Sequence, residues 1–348
     1  MKTFRLTFSL AAVALLGGFS SCNKSGDGGG EPAVGGADEV VAGKFVILGT
    51  LTDDANKSNA KRNAENALLK YGDGIDGMVG LWAYNAPQCL QALKDQERTG
   101  EVKLFSFDED ESTLQGIIDG HIEGTIVQQP YEFGYQSMKY LKMIKDGTEF
   151  EIPESKLIDI PAKTIIGTNV EDYWANLREL QALGKAAETA EKPDSDIKFA
   201  FVINTPDPFW SYARAGCYKA EQDFGIVADF QTPADGSTSE QNRIMNNLLN
   251  KGGYEGVAVT PLDPANQTEL LNKVAAAMPL ICHDSDAPDS DRRFYLGTNN
   301  YDAGRLLGKL VKERMPDGGK LMIFVGKIDM LNAVERRRGL IDELKSEG

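Results

Sequence analysis

Carboxylates, amides and large aromatic side chains recur in this chain just after short apolar runs. The run that closes at Asn204 is followed by Asp207, Phe209 and Trp210, the one ending near Val259 by Thr260, and the one around Ile281 by Asp284 and Asp286. In the amino-terminal half Trp82 and Asn85 follow one such run, Asp108 another and Gln128 a third. Carboxylates and amides hold hydroxyl groups in paired hydrogen bonds, and aromatic rings pack on C–H faces, so the set suits a small polyhydroxylated ligand. A charge-assisted bond of this kind contributes about 1.5–3 kcal/mol when well placed. Each residue also has a plain structural use. Asp207 can cap a helix, as can Asp263 with Pro264 in the first turn; Phe209 and Trp210 can be core, and Trp82 can pack between lobes. The joint pattern is what points to a site.

The elements that must position these residues follow from periodicity. Short apolar runs predict strands at 44–50, 77–82, 102–107, 123–128, 197–204, 226–231, 255–260, 279–283, 293–297 and 320–325. Helical spacing, as in Ala60, Ala64, Ala67 and Leu68, predicts helices at 57–71, 86–97, 112–119, 131–146, 209–223, 238–251, 265–277, 301–314 and 332–345. Extended pieces lie near 155–160 and 163–168. A further helix starts near 170 and runs into the polar stretch EKPDSD, whose proline marks a linker. Strands alternating with helices imply parallel sheets covered on both faces, with ligands bound beyond the carboxyl ends of the strands. All ten of these residues follow strand ends of this kind.

Composition narrows the partners. The formal net charge is −15 and no basic stripe stands out, which argues against nucleic acid. Cys89, Cys217 and Cys282 form neither a CxxC pair nor a metal framework and read as small buried residues. There are only two histidines, His121 and His283, in separate segments, and no nucleophile elbow, P-loop or HExxH motif. DEDEST from Asp108 opens like an EF-hand but has Thr113 where that loop needs glycine, so no calcium is expected. No cofactor motif emerges.

At the amino terminus Met1, Lys2 and Arg5 precede an apolar run centred on Leu10–Leu16, and small residues lead on to Cys22. That is the order of a secretory signal, with a run too short to span a bilayer. Phe19-Ser20-Ser21-Cys22 resembles the lipobox of bacterial lipoproteins, Phe19 replacing the usual aliphatic residue. The resemblance implies a lipid on Cys22; a plain cleaved signal is the alternative. Residues 1–21 then form the signal, and 22–43, rich in Gly, Ser, Ala and acids, a flexible tether.

DPFW at 207–210, PADGSTSEQNRIMNNLL at 233–249, TPLDPANQ at 260–267, DSDAP at 284–288, GTNNYDAGRLLG at 297–308 and ERRRG at 335–339 are together specific. Through them, 198–348 resembles the first half of bacterial periplasmic sugar-binding proteins of the ribose-binding type, relatives of the lactose-repressor core. Through GTLTDD at 49–54, GLWAYNAP at 80–87, FDED at 107–110 and TIVQQPYEFGYQ at 125–136, residues 44–168 resemble the second half. The resemblance implies the type I periplasmic binding protein fold, an α/β structure of two Rossmann-like three-layer lobes joined by a hinge. Because the halves are swapped, it also implies circular permutation, with 170–195 joining the usual termini. Two incomplete binding proteins fused in tandem are the alternative, and they would leave sheet edges unpaired. One lobe is expected from 44–128 with 299–348, the other from 129–165 with 196–298.

Carried across residue by residue, the resemblance places Asp207, Phe209, Trp210, Thr260, Asp284, Arg336, Trp82, Asp108 and Gln128 in the cleft, with Asp286 and Asn85 beside them. Arg336 has a fork that can grip two ligand oxygens; its plain reading is a helix-surface arginine like Arg337 or Arg338. Trp82 stands where ribose binders carry an amide, which favours a larger or more apolar sugar face. The implied function is capture of a monosaccharide for an ABC permease, by a monomer that needs no cofactor and is lipid-anchored in the periplasm or cell envelope. Three rivals remain: a sensor serving a membrane kinase or chemoreceptor, an autoinducer or polyol receptor, and a glycosidase-like enzyme using paired aspartates.

Overall fold

The apolar runs become strands buried on both faces, and the amphipathic runs become the helices that cover them. A computed structural model describes residues 39–346; Cys22 and the tether up to residue 38 lie outside that range. The strands are β1 (Val40–Ala42), β2 (Phe45–Thr52), β3 (Gly77–Gly80), β4 (Lys103–Phe107), β5 (Gly124–Val127), β6 (Leu157–Asp159), β7 (Lys163–Ile165), β8 (Lys198–Val202), β9 (Val227–Gln231), β10 (Gly256–Val259), β11 (Leu280–His283), β12 (Tyr295–Gly297) and β13 (Gly319–Val325). The helices are α1 (Lys57–Tyr71), α2 (Asn85–Asp95), α3 (Glu111–Ile118), α4 (Pro130–Asp146), α5 (Val170–Ala186), α6 (Phe209–Phe224), α7 (Thr238–Lys251), α8 (Pro264–Ala277), α9 (Asn300–Arg314) and α10 (Leu331–Lys345).

Two sheets result. The first runs β1-β2-β13-β3-β4-β5-β7, parallel except for antiparallel β1 and β7 at its edges. The second, β6-β12-β11-β10-β8-β9, is parallel throughout. Each lies between two apolar layers: Met78, Leu93 and Leu104 against Leu307, Leu321 and Ile323 in the first lobe, Leu141, Phe199 and Phe201 against Leu248, Val257 and Leu280 in the second.

Both sheets follow one plan. Counted from β8, the second sheet has its strands in the order second, first, third, fourth, fifth. The first sheet has the same order only if β13 counts as first, followed by β2, β3, β4 and β5. From β13, α10 runs back toward the start of β2. There Gly43, at φ +61°, has room for no side chain, because a Cβ would lie 2.6 Å from the Leu344 carbonyl oxygen. Strands from the two ends of the sequence thus complete one sheet.

Three crossings join the lobes: 128–130 into α4, 160–162 between β6 and β7, and 298–299 into α9. They are tied to each other by Ile160 N–H to the Gly297 carbonyl at 2.9 Å, the Thr298 hydroxyl to the Ile160 carbonyl at 3.3 Å, and Gln129 Nε2 to the Pro161 carbonyl at 2.6 Å. α5 makes a fourth connection.

Two boundaries read from the sequence are corrected. Residues 40–42 are not tether, because they pair antiparallel with 45–47 and bury Ala42 completely. Residues 163–165 belong with the first lobe, because β7 pairs with β5, Ile165 opposite Thr125. Both are three-residue edge strands whose hydrogen bonds come from a neighbour, so neither has a periodic signal of its own.

The helix packing repeats too. α9 and α10 touch where a Cβ on Gly304 would lie 2.2 Å from the Arg336 carbonyl oxygen and one on Gly339 would lie 2.0 Å from that of Tyr301. In the second lobe Gly134 and Gly216 stand 2.0 Å from the carbonyl oxygens of Ala213 and Tyr131 in the same sense. Gly304→Ala should force α10 off α9 and cost about 1–3 kcal/mol, read as a lower urea midpoint. Gly167→Ala, where a Cβ meets nothing within 4 Å, should leave the midpoint in place.

Candidate functional site

The fourth strand of each lobe ends in an aspartate held in left-handed backbone, Asp108 after β4 at φ 60° and Asp284 after β11 at φ 59°. That conformation is costly for any residue but glycine, so the surroundings must hold it. The same two bonds do so in both lobes. Asp108 N–H donates to the Ile126 carbonyl at 2.7 Å, and its own carbonyl accepts from the Thr125 hydroxyl at 2.7 Å. Asp284 N–H donates to the Leu296 carbonyl at 3.3 Å, and its carbonyl accepts from the Tyr295 hydroxyl at 2.8 Å. Equivalent strands therefore present equivalent carboxylates.

Asp108 is the better satisfied of the two. Its carboxylate accepts from Gln128 Nε2 at 3.0 Å and from Arg336 Nη1 at 3.3 Å. Arg336 is buried on α10, its guanidinium 3.8 Å from the centre of the Phe107 ring. Nη1 also donates to the Leu81 carbonyl at 3.0 Å, and Nε donates to Asn300 Oδ1 at 2.9 Å. Nη2 has no partner among the described residues. Arg336 is thus a fixed cation with one arm to spare, not a helix-surface arginine.

Asp284 stands opposite, and among the described residues only the Thr260 hydroxyl, at 3.2 Å, bonds its carboxylate. Burial pushes its carboxyl up to about 6; the Thr260 bond and the charge of Arg336 pull it down, and the charge of Asp108 pushes it up. Those two influences come from the other lobe, so the two aspartates and the arginine share one electrostatic environment across the cleft.

The other candidates divide. Trp82 is partly exposed, its ring pinned against Gly326, where a Cβ would lie 2.0 Å from Cζ3. Its Nε1 has no partner among the described residues. Thr260 is fully buried behind Asp284 and supports that carboxylate. Asn85 is also fully buried: it accepts from the Trp82 N–H at 3.0 Å and donates to Asp53 at 2.9 Å, so it orients the loop that carries Trp82. Asp286 is closed off by a two-pronged ion pair with Arg292 and by a bond from the Ala287 N–H. Trp210 is core, its indole donating to Asn204 at 2.9 Å. Phe209 packs edge-on to it, ring centres 5.0 Å apart. Asp207 is exposed and accepts the Phe209 N–H at 2.9 Å, which starts α6.

Four contributors were not singled out from sequence. Phe107 supplies the face under Arg336, Asn300 fixes Nε, and Tyr295 and Thr125 hold the strained aspartates. Thr125, Tyr295 and Asn300 lie in or beside apolar runs, and only the fold pairs them with their partners. His283 stacks on Phe201 at 4.1 Å, and burial drives it down to about 3, so it stays neutral. Cys89, Cys217 and Cys282 are buried and unpaired, and Asp110 of the EF-hand-like stretch caps α3 through the Ser112 N–H. Among the described residues no cluster could hold a metal ion.

Comparison with known proteins fits this architecture. The periplasmic binding protein domain model matches residues 30–149 and 199–348. A curated xylose/arabinose-binding protein of Sulfolobus acidocaldarius is 25% identical over 179 residues, which are 47% of this chain and 40% of that protein. The chain thus spans less than half the length of that curated relative. A solute-binding protein of Burkholderia graminis solved with D-arabinose is 24% identical at a TM-score of 0.40, over 44% of this chain and 53% of its own. A sugar-binding protein of Bacillus halodurans is 26% identical at a TM-score of 0.41, over 43% of this chain and 52% of its own. With both lobes matched by the family model, the chain belongs to the periplasmic binding protein domain family.

Proposed function

We propose that the protein captures a monosaccharide between its lobes and hands it to an ABC permease, acting as a receptor without catalysis. The observation that carries this reading is the convergence of Asp108, paired with Arg336, on Asp284 in the facing lobe. An acceptor pair and a spare guanidinium arm can hold vicinal hydroxyls, while the Trp82 ring can lie on the C–H face of the sugar. Gln128 and Thr260 support the two carboxylates, and we assign Asp207 and Phe209, at the start of α6, to the edge of the cleft. The relatives described as binding xylose, arabinose or other sugars support the ligand class. The family supports a place in the periplasm or cell envelope, and we assign Cys22 as the lipid-bearing residue of a monomer.

Circular permutation accounts for the strand order. β13 and α10 are the first strand and helix of a lobe whose remainder, from β2 to β5, comes early in the sequence. A re-permuted chain that starts at Asp196, joins Ser346 to Glu39 through a short Gly–Ser link and ends at Ala187 should fold and bind the same ligand. If it expresses folded but fails to bind, the permutation reading is wrong.

The ligand class is checked by thermal shift. A sugar at about a hundredfold its dissociation constant should add about 2.7 kcal/mol of stability. A response to amino acids with none to pentoses, hexoses or polyols would refute the sugar assignment.

Asp284 gives a pH test. Its carboxyl is raised in the folded state, so it contributes instability that sets in as pH rises from the ordinary carboxylate range to about 6. Asp284→Asn should remove that component of the apo protein's pH profile. It should also weaken sugar binding by about tenfold near pH 7, the value of one charge-assisted bond, and by less near pH 5. Isothermal titration at both pH values checks this, and equal losses at both would show that the ionised carboxylate is not a ligand.

A further inference from the structure

α5 is not confined to one lobe. Val170 and Leu177 are buried in the apolar layer of the first lobe, with Trp174 packed beside them. Farther along, the same helix rests on α6 of the second lobe. A Cβ on Gly184 would lie 2.0 Å from the Ser211 carbonyl oxygen, and Glu188 faces Arg214 at 3.7 Å. Tyr212 of α6 in turn packs against the first lobe's apolar layer. Where these parts meet, Glu109 receives the Tyr173 hydroxyl at 3.4 Å, and its Oε1 is buried without a partner among the described residues.

We propose that α5 is a side strap tying the lobes together, and that the junction of Glu109 with Tyr173 and Tyr212 is a latch that must admit water when the cleft opens. The charged and titratable groups facing Glu109 are Asp108 on its own segment, Tyr173 from α5, and Tyr212 and Asp207 from α6 and its approach, with Glu111 facing Tyr212. Burial, then the charge of Asp108, pushes its carboxyl up to about 8 in the latched form. In water it returns toward the ordinary glutamate value of about 4.3. The latched form therefore holds a proton that the open form releases. Latching is complete at low pH, weakens as pH rises toward about 8, and changes no further above that.

The test needs no ligand, so its failure is separate from failure of the sugar reading. Spin labels replace Lys94 on α2 and Lys273 on α8, both exposed, while the buried native cysteines stay unlabelled. Distances between the labels are measured by pulsed electron resonance on the apo protein near pH 7, above the range in which Asp284 ionises, and near pH 9, on either side of the Glu109 titration. The ratio of the closed to the open population should fall about tenfold between the two, as expected for a proton lost on opening. Glu109→Gln should keep the same distribution at both. Cutting the chain at a protease site introduced within 188–195, which alters no latch residue, should broaden the distribution at the lower pH. A Glu109→Gln protein that follows the wild-type pH response, or a cut strap that leaves the distances unchanged, overturns the proposal.

Discussion

The site depends on one constraint: an aspartate forced into left-handed backbone at the end of the fourth strand in each lobe. Neither Asp108 nor Asp284 could stay there without a neighbouring strand to take its N–H and a hydroxyl to meet its carbonyl. Thr125 and Tyr295 supply those hydroxyls from the fifth strands. The strain is thus supported by the sheet, and the sheet's register decides where the carboxylates stand. From there the lobes diverge. Asp108 is neutralised by a guanidinium that is itself bonded to Leu81 and Asn300, while Asp284 has a single hydroxyl and a raised pKa. One wall of the cleft is preorganised, and the other is left to be satisfied.

That asymmetry bears on selectivity. A wall already charge-balanced makes few new demands on a ligand, so its role is to fix orientation. A wall with an under-satisfied carboxylate rewards a ligand that brings a donor and penalises one that lacks it. In the site proposed above, Trp82 would set how much apolar face the ligand must offer, and its place is set by Gly326, where nothing larger fits. On that proposal selectivity is spread over two lobes, each controlling a different property of the bound molecule.

Much of the architecture was legible in the sequence because β3, β5, β10 and β11 are buried at every position and read as short, largely apolar runs. β1 and β7 were missed as parts of the first sheet because three residues at an edge carry no period. For the proposed site, strand ends and the family resemblance pointed to Asp108, Gln128, Asp284 and Trp82, and the resemblance alone to Arg336. What they could not foresee was occupancy. Nothing in the residues around Asp286 says that Arg292 will close on it, or that Asn85 will be turned to Asp53. Those outcomes depend on side-chain partners brought together by tertiary packing.

The placement of β13 has a further consequence, for the order in which the protein can be made. β8 to β12 are contiguous in sequence, so the second lobe can assemble its central sheet as soon as residues 198–297 are available. The first lobe cannot: β2 and β3 are separated by a gap that only residues 319–325 fill. Until that strand arrives, two inner edges remain unpaired over most of synthesis, with apolar faces open to water. The strand order of the first sheet therefore sets when that sheet can close as well as how it is arranged.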